Sequence, residues 1–350
     1  MNVDKNLFLY DLAVVSIMKN AAPYVKEWLD YHLLAGVNHF FIYDNESEDN
    51  FKEVLQPYID AGLVTYIFRP GKRQLIEVYN DAINRFKFSC RLMTFVDDDE
   101  FILPKSNGSI SEIVDKFLAA SEKVAGLEFN WIFYGSNNLE KADFSRGVLE
   151  RFTHRAAKEA PSVKSVLNAR RIQYMWTPHF AVYQHEYFAI NQSYCKDFNI
   201  ADKIVMNHYH TKSLEEYALK RARGDVIASN GEKYVDATFK AHDKNEVFDD
   251  GIIKYRDARK AALIPAGGGM ETIISSKQVN YPRLFNALAQ NLVPILSNQV
   301  PVDFFKDKVE NFLTCLYLTS YLKGKFMDNT DAETFEEISL IALYKSLLSE

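Results

Sequence analysis

Residues 92–104 read LMTFVDDDEFILP. An apolar run (Leu92, Met93, Phe95, Val96) enters a block of four acids, Asp97, Asp98, Asp99 and Glu100. A second apolar run (Phe101, Ile102, Leu103) leaves it before Pro104. Apolar runs this short, bounded by a proline, predict buried strands. Four carboxylates between buried strands need a compensating cation, because unpaired charge out of water costs on the order of several kcal/mol or more. Mg²⁺ or Mn²⁺ meets that need, since both take carboxylate oxygens and share their shell with substrate phosphates. The competing reading is a solvated acidic turn at a strand end.

Upstream the chain alternates. LAVVSIM (12–18), HFFIY (39–43), LVTYIF (63–68) and 92–96 have strand length and apolar character. Residues 23–36 open on Pro23, carry Val25, Trp28, Leu29 and Leu33 on one helical face and stop at Gly36. Residues 51–59 form a short helix, and 74–86 place Leu75, Val78, Tyr79 and Ala82 on one face. This order predicts right-handed βαβ units and a parallel sheet, with ligands beyond the carboxyl ends of the strands. Those ends carry Lys19 and Asn20, then Asp44 and Asn45, then Arg69 to Gly71 with Arg73 and Gln74 behind them, then the acids. Four strand ends that each offer usable chemistry favour the metal over plain solvation. No GxGxxG follows the first strand and no GxxxxGK[ST] occurs, which argues against a dinucleotide dehydrogenase and a P-loop nucleotidase.

After Pro104 the pattern predicts an amphipathic helix over 110–120 and a strand over 126–134 (GLEFNWIFY). Residues 170–189 are aromatic-rich and antiparallel in character, which suits the acceptor side of an α/β enzyme. Ser213 and Glu216 form a capping box for a helix that Gly224 stops. PAGGGM (265–270) is the most linker-like segment, and 271–350 is mostly helical in period. The expected division is therefore a catalytic α/β unit over 1–264 and a helical accessory region over 265–350. The latter must bury Phe304, Phe305, Phe312, Leu313, Leu316, Tyr317 and Leu318, on the first unit, a second subunit or a membrane surface.

A net charge of −6 argues against nucleic acid, which needs a basic footprint. Residues 301–350 hold nine acids against five lysines, which disfavours a polybasic lipid anchor. Cys90, Cys195 and Cys315 stand far apart without CxxC and suit a reducing compartment. The N-terminus lacks the basic n-region of a signal peptide, and no run of about 18 apolar residues spans a membrane. A cytoplasmic location, at most peripheral to the membrane, is the expectation.

KNAAPYVKEWLDYHLLAGVNHFFIYDNESED, FVDDDEF and NHYHTKSLEEYALKRARG occur in that order. Together they resemble glycosyltransferase family 92 and its bacterial relatives of the GT-A type, over about residues 13–260. The resemblance implies a GT-A (Rossmann-like) mixed sheet flanked by helices and transfer of a hexose from a UDP-sugar, with galactose favoured. It further implies inversion, a Mn²⁺ or Mg²⁺ cofactor, and a glycan or glycolipid acceptor of surface polysaccharide synthesis. By matching motif, Asp97 and Asp99 are the two acids of DxD, Asp44 and Asn45 match YDN, and His208 stands in the HY position as a metal ligand. The first motif usually reads Lys-Asn-Glu; here Ala21 replaces the acid.

The residues support the same chemistry. A metal bridging both phosphates makes a nucleoside diphosphate a good leaving group. On an extended strand alternate residues face one way, so Asp97 and Asp99 are expected to reach one ion while Asp98 points elsewhere. Lys19, Asn20, Asp44, Asn45, Arg73, Gln74 and Asp97 form the expected donor-nucleotide side, Asp44 having an Asx turn as its alternative. His210 is a weaker ligand candidate than His208, and Lys212 either reaches a diphosphate or caps a carbonyl end. Trp131 and Tyr134 either stack on an acceptor sugar or fill a core strand. Glu128, Asp143, Glu150 and Asp197 are all open as the base of an inverting transfer, so the catalytic residue stays unassigned. Two rival readings share the acids: a Mg²⁺-dependent phosphohydrolase, and a carbohydrate- or nucleotide-binding protein without turnover, at which Ala21 hints.

Overall fold

A computed structural model describes residues 8, 10–87, 89–223 and 236–277. The first half follows the predicted alternation: β1 (Tyr10–Met18), α1 (Ala22–Leu34), β2 (His39–Asp44), α2 (Phe51–Asp60), β3 (Val64–Phe68), α3 (Leu75–Phe86) and β4 (Cys90–Phe95). β1 pairs in parallel with β2 and β4, and β2 with β3. Alternate residues of β1 enter different cores: Leu12 and Val14 pack with α1 and α2, Ala13, Val15 and Ile17 with α3. A strand covered on both faces has no polar side, hence its unbroken apolar run. Gly36 closes α1 at φ +108°, and a Cβ there would meet the Ser109 Cβ at 2.6 Å, so glycine is required.

Next come β5 (Glu100–Pro104), α4 (Ile110–Leu118), β6 (Val124–Phe133), α5 (Val148–Arg151), β7 (His154–Arg155) and β8 (Val163–Leu167). β9 (Ile172–Met175) and β10 (Ala181–Tyr183) form the antiparallel hairpin expected in the aromatic stretch. β11 (Phe188–Ile190), β12 (Ile204–His208), α6 (Leu214–Arg223), α7 (Asp236–His242), β13 (Val247–Phe248), α8 (Gly251–Leu263) and α9 (Met270–Ser276) complete the described chain. The main sheet runs β3-β2-β1-β4-β8-β6-β12-β5, with β11 also on β6. β8 is antiparallel to β4 and β6, and β5 to β12, so the sheet is mixed and flanked by helices, as expected. The Ser213–Glu216 capping box is present on α6: the Glu216 amide donates to Ser213 Oγ at 3.2 Å and Glu216 accepts from the Ser213 amide at 3.2 Å.

After the glycine-rich segment, α9 buries Ile273 in the core that α1 lines. The Gly224 stop, Cys315 and the accessory region from 278 onward, with Phe304, Phe305, Phe312, Leu313, Leu316, Tyr317 and Leu318, lie outside the described residues. Among the described residues no helix is long and apolar enough to cross a membrane.

Candidate active site

Parallel register sets the carboxyl ends of β1 to β4 along one edge: Met18 faces Asp44, Asp44 faces Phe68, and Val15 faces Phe95. The acids lie at this edge in a turn, not on an extended strand, which corrects the alternation expected of Asp97 and Asp99. The Glu100 amide donates to the Asp97 carbonyl (3.1 Å), and Glu100 Oε2 accepts from the Asp97 amide (3.0 Å). From α1, buried Trp28 donates its indole N–H to the carbonyls of Asp97 (3.1 Å) and Glu100 (2.9 Å) and braces the turn.

Two lysines that the sequence reading missed supply the charge compensation sought from a metal. Lys164, buried on β8, lies 3.3 Å from Asp97 and 3.1 Å from Glu100. Burial alone would lower its pKa, but the two carboxylates outweigh burial and hold it raised. Burial pushes the Glu100 carboxyl up to about 8, against the pull of Lys164. Lys220 on α6 lies 2.5 Å from Asp99 Oδ2 and 3.3 Å from His210 Nδ1. Burial opposes ionisation of Asp99, yet Lys220 and His208 hold its carboxyl well below the usual range. One signal for Lys164 was available, a lone charge inside the strand-like VKSVL; Lys220 is one charge among many in LEEYALKRAR.

β12 runs antiparallel to β5 and sets His208 opposite Glu100, while the Tyr209 amide donates to the Asp99 carbonyl at 2.8 Å. His208 Nε2 lies 3.4 Å from Asp99 Oδ1. One ligand atom each from Asp99, His208 and His210 falls within 4.8 Å of the others, so the structure brings His210 in beside His208. Asp97 is not in that group; it is turned to Lys164 and to the Tyr79 hydroxyl (3.2 Å). Burial lowers the pKa of both imidazoles, so both are neutral at neutral pH, the form that binds metals. His208 Nδ1 is buried with no hydrogen-bond partner among the described residues. An ionised carboxylate and two neutral imidazoles fit a divalent ion, on the condition that Lys220 leaves Asp99.

The strand-end residues gather on the same edge and brace one another. Asp44 is buried and accepts from the Tyr66 hydroxyl (2.6 Å) and the Ser47 amide (2.8 Å), as its turn reading expects. Asn45 donates to the carbonyls of Arg69 and Gly71, both at 2.8 Å, and Asn20 Oδ1 accepts from the Glu48 amide. Gln74 accepts from Arg69 Nε at 2.8 Å; Arg73 is exposed at φ +57° and Lys19 is half-buried. Lys212 lies over the Tyr24 ring at 4.4 Å.

The acceptor pair divides. Trp131 packs on the His208 ring, centroids 4.3 Å apart. Tyr134 is wholly buried, its hydroxyl bonded to Asn207 and its ring stacked on Tyr209, so its expected sugar contact is corrected to a core role. Of the candidate bases, Glu128 is buried and accepts from Asn191, Asp143 is bound to Ser145, Glu150 pairs with Arg256 and Asp197 is exposed.

A family model described as glycosyltransferase family 92 matches residues 15–254. A glycosyltransferase family 92 protein of Ricinus communis is 27% identical over 148 residues, 42% of this chain and 26% of that protein. The galactan β-1,4-galactosyltransferase GALS2 of Arabidopsis thaliana is 33% identical over 111 residues, 28% of this chain and 21% of that one. The chain thus spans about a quarter of the length of the curated relatives it matches. Among solved structures, S. aureus TarS 1–349 in complex with UDP aligns with 11% identity and a TM-score of 0.35, over 92% of this chain and 94% of that one.

Proposed function

The chain belongs to glycosyltransferase family 92, and from that premise we propose that it transfers a hexose from a UDP-sugar to a glycan or glycolipid acceptor, with inversion, in surface polysaccharide synthesis. Galactose is the favoured sugar, supported by relatives named galactan β-1,4-galactosyltransferases. The observation that carries the reading is the convergence of Asp99, His208 and His210 at the edge where the parallel strands β1 to β4 have their carboxyl ends, the edge at which open α/β sheets take their ligands. Those three residues would hold the divalent ion. Two imidazoles beside one carboxylate suit Mn²⁺ better than Mg²⁺. Such an ion, when bound, supplies the Lewis acidity that neutralises the departing diphosphate. Lys164 and Trp28 hold the acid turn in place, and Asp44, buried at the end of β2, is the residue assigned here to the nucleoside.

The test is a thermal-shift series on the full chain with UDP, UDP-galactose and UDP-glucose, with and without Mn²⁺. A ligand at 100 times its Kd stabilises the native state by about 2.7 kcal/mol. A UDP-sugar response that needs Mn²⁺ is expected. Phosphate release from p-nitrophenyl phosphate, with no response to any UDP-sugar, would replace this reading by the phosphohydrolase.

Two narrower results are expected. Asp44→Ala weakens UDP binding by roughly 1–3 kcal/mol through a lost buried hydrogen bond; an unchanged Kd by calorimetry in a folded variant leaves Asp44 only its turn. A chain ending at Lys277, which keeps Ile273 in the core, binds UDP normally and loses acceptor transfer or self-association. If that shortened chain folds but no longer binds UDP, residues 278–350 belong to the donor site and the proposed division is wrong.

A further inference from the structure

The β9–β10 turn carries aromatic rings that the donor site does not use. Trp176 is 71% exposed, Phe180 49% and Tyr174 45%. The turn is built, not loose. Thr177 Oγ1 accepts from the amides of His179 (3.1 Å) and Phe180 (3.0 Å), and the Trp176 amide donates to the Phe180 carbonyl (3.0 Å). Asn80 on α3 bonds both the amide and the carbonyl of Met175 (2.8 and 3.1 Å). His179 Nδ1 meets the Val163 carbonyl at 2.9 Å, next to the lysine that holds the acid turn.

The rings are linked by successive contacts. His208 touches Trp131 at a 4.3 Å centroid distance, Trp131 touches His179 at 4.9 Å, and His179 touches Phe180 at 6.4 Å. This series of contacts begins at a candidate metal ligand and ends at half-exposed Phe180, whose carbonyl accepts from the amide of exposed Trp176. The hairpin, 172–183, reads IQYMWTPHFAVY and contains no Asp, Glu, Lys or Arg. Its surface therefore has no charge with which to recognise a phosphate or a lipid headgroup. Flat apolar rings complement the C–H faces of pyranoses, and the Trp131 indole N–H, buried without a hydrogen-bond partner among the described residues, is a donor at the inner end of the series.

We propose that this hairpin is the acceptor platform: Trp176 and Phe180 stack on successive pyranoses of a neutral glycan whose terminal sugar reaches the donor site along Trp131. The inference rests on the glycosyltransferase reading and names the acceptor class for it. The chain has three tryptophans; Trp28 is in the core and Trp131 is only partly exposed, so emission quenching by acrylamide reports mainly on Trp176. With β-1,4-galactotetraose added to the full chain, Trp176 should be protected from acrylamide. Trp176→Ala and Phe180→Ala should each weaken glycan binding at least tenfold by calorimetry and raise the acceptor KM. Quenching that the tetraose leaves unchanged in a chain that binds UDP-galactose and Mn²⁺ overturns the platform and leaves the donor reading intact. Protection by phosphatidylcholine vesicles, with none by the tetraose, overturns it in favour of a membrane contact. A chain that binds no UDP-sugar at all removes the donor reading, and the platform with it.

Discussion

Asp99→Asn is expected to lower sugar transfer at least ~100-fold, about 3 kcal/mol of transition-state stabilisation, and to abolish tight Mn²⁺ binding by calorimetry. The change keeps the size of the side chain and removes the charge that Lys220, His208 and His210 surround. It has a second consequence, which a single variant would confuse with the first. Lys220 is only 11% exposed, and without Asp99 its ammonium faces a neutral amide. Stranding one member of a buried pair costs about 3–5 kcal/mol, enough to unfold a marginal protein. Asp99→Asn with Lys220→Met removes both charges and should recover most of the lost thermal stability while recovering neither transfer nor Mn²⁺ affinity. Full transfer by Asp99→Asn in chelator-treated buffer would sink the metal role of Asp99.

How far the sequence could be read depended on how each residue is covered. β1, β2 and β4 were legible because strands buried on both faces are unbroken apolar runs, and the helices between them carry one-sided faces. β8 and β12 were not: VKSVL and IVMNH are five residues each, interrupted by polar groups, and their ladder partners are far away in sequence. Only the β4–β8 ladder brings Lys164 beside the acids, so the spacing of DDDE carries no sign of that cation. The turn at Asp97–Glu100 escaped for a related reason. It is closed by the side chain of one of its own acids and by Trp28 from α1, neither of which the spacing of DDDE expresses. The two-residue spacing of His208 and His210 at the end of β12 is the sequence signal for their pairing. Tyr134 shows the opposite limit: an aromatic on a strand is sugar platform or core according to which elements cover it, and the elements around β6 come from both later and earlier chain. The exposed rings were one hairpin away, at Trp176 and Phe180.

Lys164→Met is expected to destabilise the fold by about 1–3 kcal/mol, without touching a substrate group directly. Methionine keeps the unbranched shape of the lysine stem, so packing in β8 changes little and the loss is electrostatic. Of the two carboxylates that would be left behind, Asp97 is 33% exposed and can turn to water, whereas Glu100 has no exposure and retains only the Asp97 amide as a donor among the hydrogen bonds described. Glu100 therefore bears the penalty: burial already holds its carboxyl up to about 8, and without Lys164 it is driven further to the protonated form, with one oxygen lacking a partner among the described residues. Glu100→Gln in the Lys164→Met background should restore part of the stability, with a coupling energy of about 0.5–3 kcal/mol in the double-mutant cycle measured by urea denaturation. The turn these groups close also sets the position of Asp99, so the single variant, even where it remains folded at low temperature, should bind Mn²⁺ more weakly, and the double variant should regain part of that affinity. A Lys164→Met protein within about 0.5 kcal/mol of the wild type, the range of an ordinary surface substitution, would mean that water or a bound cation neutralises these acids and that the lysine does not.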